Sequence, residues 1–328
     1  MTASVELLSA ARGTPHARVP DFFLVGHPKC GTTALWEMLR NHPQIFMPEG
    51  KELWFLAPEL RSARRGGGRA ETLEDYLALF AAARPDQRVG EATPLYLSSH
   101  TAAANIAALA PKARVIAILR EPADFLRSFH LQCLQNHTES ETDLRRALAL
   151  EPARRRGERI PADAPRPREL LYSEHVRYAE QLRRFHAVLP REQVLVLIYD
   201  DFRADNEATV RRVLRFLNVD PNHPIAAVDA NPSVRVRSPR LHNVVRAVSV
   251  GRGGPARALK GPIKALMPRT LRRGALRATQ ERLVYGRPRA ADERLMRELR
   301  GRFKGEVEAA SECLGRDLVA LWGYGDVD

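Results

Sequence analysis

The sequence predicts an α/β fold, a P-loop-type parallel β-sheet flanked by helices. Three observations predict it. Apolar runs at Phe22-Phe23-Leu24-Val25, Val115-Ile116-Ala117-Ile118-Leu119 and Val194-Leu195-Val196-Leu197-Ile198 have the length of buried strands. Stretches with helical spacing follow each run. Between the first run and its helix lies a loop bounded by Gly26 and Gly31, the arrangement of a phosphate cradle.

The loop is Gly26-His27-Pro28-Lys29-Cys30-Gly31-Thr32-Thr33, and Ala34, Leu35, Met38 and Leu39 then recur on one helical face. A nucleotide triphosphatase loop places Lys directly after its second Gly. Here Thr32 holds that place and the cation sits inside the loop, at Lys29. Asn41-His42-Pro43 stops the helix, and Gln44 to Met47 reads as a short strand. Lys51-Glu52 falls on a loop near the cradle. The stretch from Ala57 to Ala70, with Pro58 and Gly66-Gly67-Gly68, reads as a flexible surface loop.

Leu73, Tyr76, Leu77 and Phe80 share a helical face, and Arg88-Val89-Gly90 is a brief strand before Glu91. A helix is expected over His100 to Leu109. The second long strand, from Arg114, ends in Arg120, where a magnesium-dependent nucleotidase is expected to carry Asp. Pro122 opens the next helix, and Ser128 lies along it. Arg120 and Ser128 together offer charge-assisted hydrogen bonds to a second, separate phosphate. Such a site neutralises its anions with side chains and needs no metal.

The Pro- and Arg-rich segment from Glu151 to Glu169 has no period and reads as a long mobile loop at the rim of an acceptor cleft. Leu170 to Leu189 reads as one long amphipathic helix, Gln193 to Tyr199 as a buried strand, and Asn206 to Leu217 as a helix. From Asp220 to Arg289 the pattern loosens. Ala291 to Leu314 returns to helix, and Trp322 is expected to pack back on the core.

These motifs carry a resemblance. Pro28-Lys29-Cys30-Gly31-Thr32-Thr33-Ala34-Leu35 resembles the 5′-phosphosulfate loop of sulfotransferases that use 3′-phosphoadenosine-5′-phosphosulfate (PAPS). Arg120, with Glu121-Pro122 and Ser128, resembles their 3′-phosphate motif. Lys51-Glu52-Leu53-Trp54-Phe55 is similar to the Lys-Glu-x-x-Phe segment of the carbohydrate, heparan-sulfate-like O-sulfotransferase branch, from which it departs at Trp54. Glu91-Ala92-Thr93-Pro94-Leu95-Tyr96 resembles a segment lining the acceptor cleft there. The likeness covers about residues 21 to 220.

The resemblance implies a sulfotransferase fold, PAPS as donor, and a hydroxyl on a sugar or small natural product as acceptor. It places Lys29, Cys30, Gly31, Thr32, Thr33, Ala34, Arg120 and Ser128 on the nucleotide, with Lys29 and Glu52 catalytic. Glu52 is the general base by this likeness. His27 competes, because imidazole titrates near neutrality, although a structural hydrogen bond suits it better. Glu91 suits either the acceptor cleft or a buried ion pair, and Trp36 either adenine or the core. A P-loop kinase of a small hydroxylated molecule is the alternative activity, disfavoured by Thr32 and Arg120.

At 328 residues, one large domain over 21 to 328 is expected after a disordered lead over 1 to 20. Three cysteines do not make a disulfide framework or show metal-ligand spacing, which points to a reducing compartment. No apolar run approaches the roughly 20 residues of a membrane helix, and the first 20 residues have no signal-peptide core. A cytoplasmic location is therefore expected. The net charge of +13 is concentrated: residues 235 to 289 hold fifteen Lys or Arg against Glu281 alone. That segment reads either as a solvated lid or as a contact for an anionic acceptor or anionic membrane surface. It lacks a nucleic-acid reading motif and has little aromatic interleaving, so nucleic acid is not an expected partner.

Overall fold

The computed structural model describes residues 18–61, 70–162, 164–226, 235–236, 285–286 and 290–327. Five parallel strands form the sheet: β1 (Phe22–Gly26), β2 (Ile45–Phe46), β3 (Arg88–Ala92), β4 (Arg114–Leu119) and β5 (Val194–Ile198), in the order β2-β3-β1-β4-β5. β1 lies at the centre, with Leu24 opposite Ala92 on one side and Ile116 on the other. Its side chains are fully buried, as a strand covered on both faces requires.

The helices that cover the sheet follow from the same grammar. In chain order they are α1 (Thr32–Arg40), α2 (Leu73–Ala78), α3 (Ala102–Leu109), α4 (Pro122–Gln135), α5 (Leu144–Ala149), α6 (Glu151–Arg155), α7 (Tyr172–His175), α8 (Tyr178–His186), α9 (Tyr199–Ala204) and α10 (Asn206–Leu217), and, after residue 290, α11 (Glu293–Leu314) and α12 (Leu318–Trp322). α2 starts with a capping box between Thr72 and Asp75. Glu121 caps α4, accepting the N–H groups of Ala123 and Asp124.

After β1 the chain turns towards β2 and β3; after β4 it turns the other way, towards β5. The crevice between the carboxyl ends of β1 and β4 is therefore the switch point of the sheet, where such folds bind ligands. Lys29 follows β1 and Arg120 follows β4, so both predicted cations emerge there.

Several expectations change. Leu170 to Leu189 is two helices, because Gln181 turns back and donates from Nε2 to the carbonyls of Glu174 and His175 at 2.8 and 3.2 Å. A continuous helix would bond those carbonyls to the N–H groups of Tyr178 and Ala179. The segment from Glu151 to Glu169 is not a mobile loop throughout. It opens with α6, and Arg154 pairs with Glu139 at 2.8 Å, both side chains fully buried. β3 continues to Ala92 and takes Glu91 into the sheet. A helix not expected from the sequence, α9, intervenes between β5 and α10.

The lead over 1–17 and nearly all of the basic segment lie outside the described residues. At the two ends of that segment, β6 (Arg235–Val236) and β7 (Tyr285–Gly286) pair antiparallel.

Candidate active site

Two glycines shape the cradle. Gly26 ends β1 at φ 130°, and a Cβ there would lie 2.7 Å from the carbonyl oxygen of Ile118. Gly31 caps α1 at φ 80°, and a Cβ there would lie 2.9 Å from the Phe202 ring. Both positions need a left-handed backbone and a close approach that a side chain would block. Between them Lys29 itself holds φ 66°, an uncommon conformation for lysine. The turn leaves Lys29, Gly31 and Thr33 partly open while Cys30, Thr32 and Ala34 are buried. The first N–H groups of α1, which have no partner within their own helix, point out of its start.

Charge crowds this turn. The pKa of Lys29 is lowered from 10.5 to about 8 by burial first, then by the neighbouring charges of Arg120 and Lys51. Arg120 donates from Nη1 to the Lys29 carbonyl at 2.9 Å, and its guanidinium lies 4.8 Å from the centre of the Tyr199 ring. Arg120, of the second predicted anion-binding group, thus reaches the backbone of the first. Ser128 follows Arg120 in the strand–turn–helix unit and is buried on α4. Burial pushes the Cys30 thiol up to about 12, so its sulfur stays neutral and its backbone alone serves the cradle.

Lys51, named above only as part of its segment, donates from Nζ to Thr33 Oγ1 at 2.5 Å. It also lies 4.0 Å from Glu52 Oε1. One cation therefore bridges the cradle and the expected base. Glu52 holds φ 64° and Trp54 φ 61°; non-glycine residues in that region concentrate at functional sites. The Glu52 N–H donates to Ala92 O at 2.7 Å, fixing the segment against the end of β3.

Glu52 lines a cleft that it shares with Pro28 of the cradle, Trp54, Gln132, Arg166 and Glu169. Arg166 lies 5.1 Å from the centre of the Trp54 ring and pairs with Glu169. Burial raises the Glu169 pKa, the Arg166 charge opposes that shift, and Glu52 reinforces it. Trp54 Nε1 and Gln132 Oε1 are buried with no hydrogen-bond partner among the described residues. The segment of Arg166 and Glu169 is the one expected at the cleft rim, but with no period it does not show which of its residues enter.

The remaining candidates fall elsewhere. His27 is fully buried, its Nε2 2.8 Å from Gln181 Oε1, and burial lowers its pKa to about 3. A group that weakly basic is a poor proton acceptor near neutrality. Glu91 accepts from Tyr76 and from Thr93 at 2.7 Å inside the core, so it neither lines the cleft nor forms an ion pair. Trp36 packs in the hydrophobic core with the Arg40 guanidinium over its ring.

Residues 20–223 match a family described as the sulfotransferase family. The chain is 25% identical over 281 residues to human carbohydrate sulfotransferase 15, covering 69% of this chain and 49% of that protein. It is 26% identical over 208 residues to human bifunctional heparan sulfate N-deacetylase/N-sulfotransferase 3, covering 63% of this chain and 23% of that one. The chain thus spans about half or less of the length of these curated relatives. A sulfotransferase structure from Alicyclobacillus acidocaldarius shares the fold, with a TM-score of 0.64 at 24% identity over 93% of this chain and 99% of that one. The family match takes in the Lys29 loop, Glu52, Arg120 and Arg166 together, and by it the chain belongs to the sulfotransferase family.

Proposed function

We propose that the protein transfers a sulfuryl group from PAPS to a hydroxyl on a sugar or a small molecule. The observation that carries this is the contact of Arg120 with the Lys29 carbonyl, which places two cationic groups and a helix N-terminus in one crevice. A nucleotide with anions at both its 5′ and 3′ positions matches that arrangement. Bound there, PAPS supplies the sulfuryl group, which leaves its phosphate for an acceptor oxygen.

The residues divide the work. Lys29 and the N–H groups of Cys30 to Ala34 stabilise the charge that grows on the departing phosphate. Thr32 and Thr33 set the helix start, with Lys51 holding the Thr33 hydroxyl. Arg120 and Ser128 hold the 3′-phosphate. Glu52 takes the proton of the attacking hydroxyl, and Lys51 keeps its carboxylate in place. The polar side chains that line the cleft, Glu52, Gln132, Arg166 and Glu169, suit a polyol. The names of the relatives, carbohydrate and heparan sulfate sulfotransferases, support a sugar. Free Cys30, Cys133 and Cys313 support a reducing, cytoplasmic setting.

The test is incubation with PAPS and panels of glycans and phenols, followed by mass spectrometry. Sulfated product from the wild type and none from Lys29→Ala is expected. An equal yield from both would contradict the cradle.

A further inference from the structure

Arg120 and Tyr199 stack on each other at the carboxyl ends of β4 and β5, and each is followed by a carboxylate held from the far end of the chain. Tyr324 is fully buried and donates from Oη to Glu121 Oε1 at 2.5 Å. Arg300 lies 3.5 Å from the same oxygen. Trp322 donates from Nε1 to Asp200 Oδ2 at 2.9 Å. Arg316 grips both oxygens of Asp201, at 2.5 and 2.8 Å. All four partners lie beyond residue 223, where the family match ends.

We infer that Tyr324 and Trp322 are positioning residues for the 3′-phosphate end of the donor site, an inference that rests on the PAPS reading above. Glu121 is adjacent to Arg120 and caps α4. Tyr324 fixes its carboxylate, and with it the turn that carries Arg120. Tyr178 holds the same turn from another side, donating to the Arg120 carbonyl at 2.8 Å. Trp322 fixes the first turn of α9, which carries Tyr199. The Arg120–Tyr199 stack is therefore clamped at both its members by one C-terminal element. Its guanidinium is aimed before any ligand arrives, as a planar donor needs to be.

The experiment is calorimetric titration of the full chain with 3′,5′-bisphosphoadenosine and with 5′-AMP. The variants are Tyr324→Phe, Trp322→Phe and, as a control, Arg145→Gln. The control breaks a surface pair with Glu298 on α11 and leaves the clamp alone. Melting temperatures are recorded for each, and if one aromatic variant unfolds the other decides. Wild type is expected to prefer the bisphosphate by about ten-fold or more. Each aromatic variant should lower that preference about three- to ten-fold, with AMP affinity kept. Arg145→Gln should keep it in full. Equal weakening of both nucleotides, or an unchanged preference, overturns the inference. Wild type that binds the two nucleotides equally overturns instead the donor reading beneath it.

Discussion

Arg120 donates from Nη1 to the backbone carbonyl of Lys29 at 2.9 Å. A guanidinium at the end of β4 is thereby joined to the turn that ends β1, across the switch point of the sheet. The contact uses one donor of a five-donor fork and leaves the stack on Tyr199 to fix the plane. Arg120→Lys removes both the fork and the stack. Affinity for 3′,5′-bisphosphoadenosine should fall by about ten- to a hundred-fold while AMP affinity changes little. Calorimetry on the two ligands checks this.

Lys29 is held in a tension between stability and use. Its folded pKa, about 8, lies below its ordinary 10.5. The cationic form therefore costs stability, fully below about pH 8, and the cost fades as pH rises towards the unfolded value. Lys29→Met should raise the melting temperature of the free protein at pH 7. The gain should shrink by about pH 10, and transfer should be lost at both. A lower melting temperature at pH 7 contradicts this account.

The same shift predicts proton uptake on binding. Near pH 8 the Lys29 amine is about half protonated in the free protein, and a bound phosphate favours the cation. Titrations with nucleotide in buffers of different ionisation enthalpy should show about half a proton taken up near pH 8. Uptake should give way to release near pH 6, where the ligand's own phosphates, with second pKa values of about 6, lose protons on binding. Absence of uptake near pH 8, or uptake there that survives Lys29→Met, removes Lys29 from the anion site.

Glu52→Gln should lower turnover by about 10² or more with nucleotide affinity kept. His27→Asn should reduce stability, because it disturbs a buried hydrogen bond to Gln181, and should leave the pH profile of surviving activity unchanged. A profile that shifts in the His27 variant and persists in the Glu52 variant reverses the assignment of the base.

Away from the site, Arg154→Met leaves the buried Glu139 carboxylate without its partner. Removing one member of such a pair costs about 3–5 kcal/mol. Tyr172 still donates to Glu139 at 3.0 Å, which favours the lower end. Urea denaturation measures the loss.

The sheet and the cradle were legible in sequence because each depends on local chemistry. β1, β4 and β5 are continuous apolar runs, and Gly26 and Gly31 bound the turn between Val25 and the α1 face. Lys29 and Arg120 could be placed because strand ends face the ligand in this class of fold. What was not legible depends on contacts distant along the chain. Gln181 splits a helix whose own spacing is unbroken. The stretch from Glu151 to Glu169 is expected at the cleft rim, but without a period it shows neither that Arg166 and Glu169 enter nor that Arg154 anchors it against Glu139. Tyr324 and Trp322 reach back about 200 and 120 positions to their carboxylates, and spacing does not encode a contact of that kind. Glu91 sits in a segment that resembles a cleft lining, but the extension of β3 to Ala92 turns its carboxylate inward to Tyr76 and Thr93.

The central claim is a crevice built for a nucleotide charged at both ends of its ribose. Its most direct measurement is the wild-type affinity for 3′,5′-bisphosphoadenosine set beside that for 5′-AMP, by calorimetry in one buffer. The account predicts a preference of about ten-fold or more for the bisphosphate, lost in Arg120→Lys. Equal affinities, or a preference that survives Arg120→Lys intact, would contradict it.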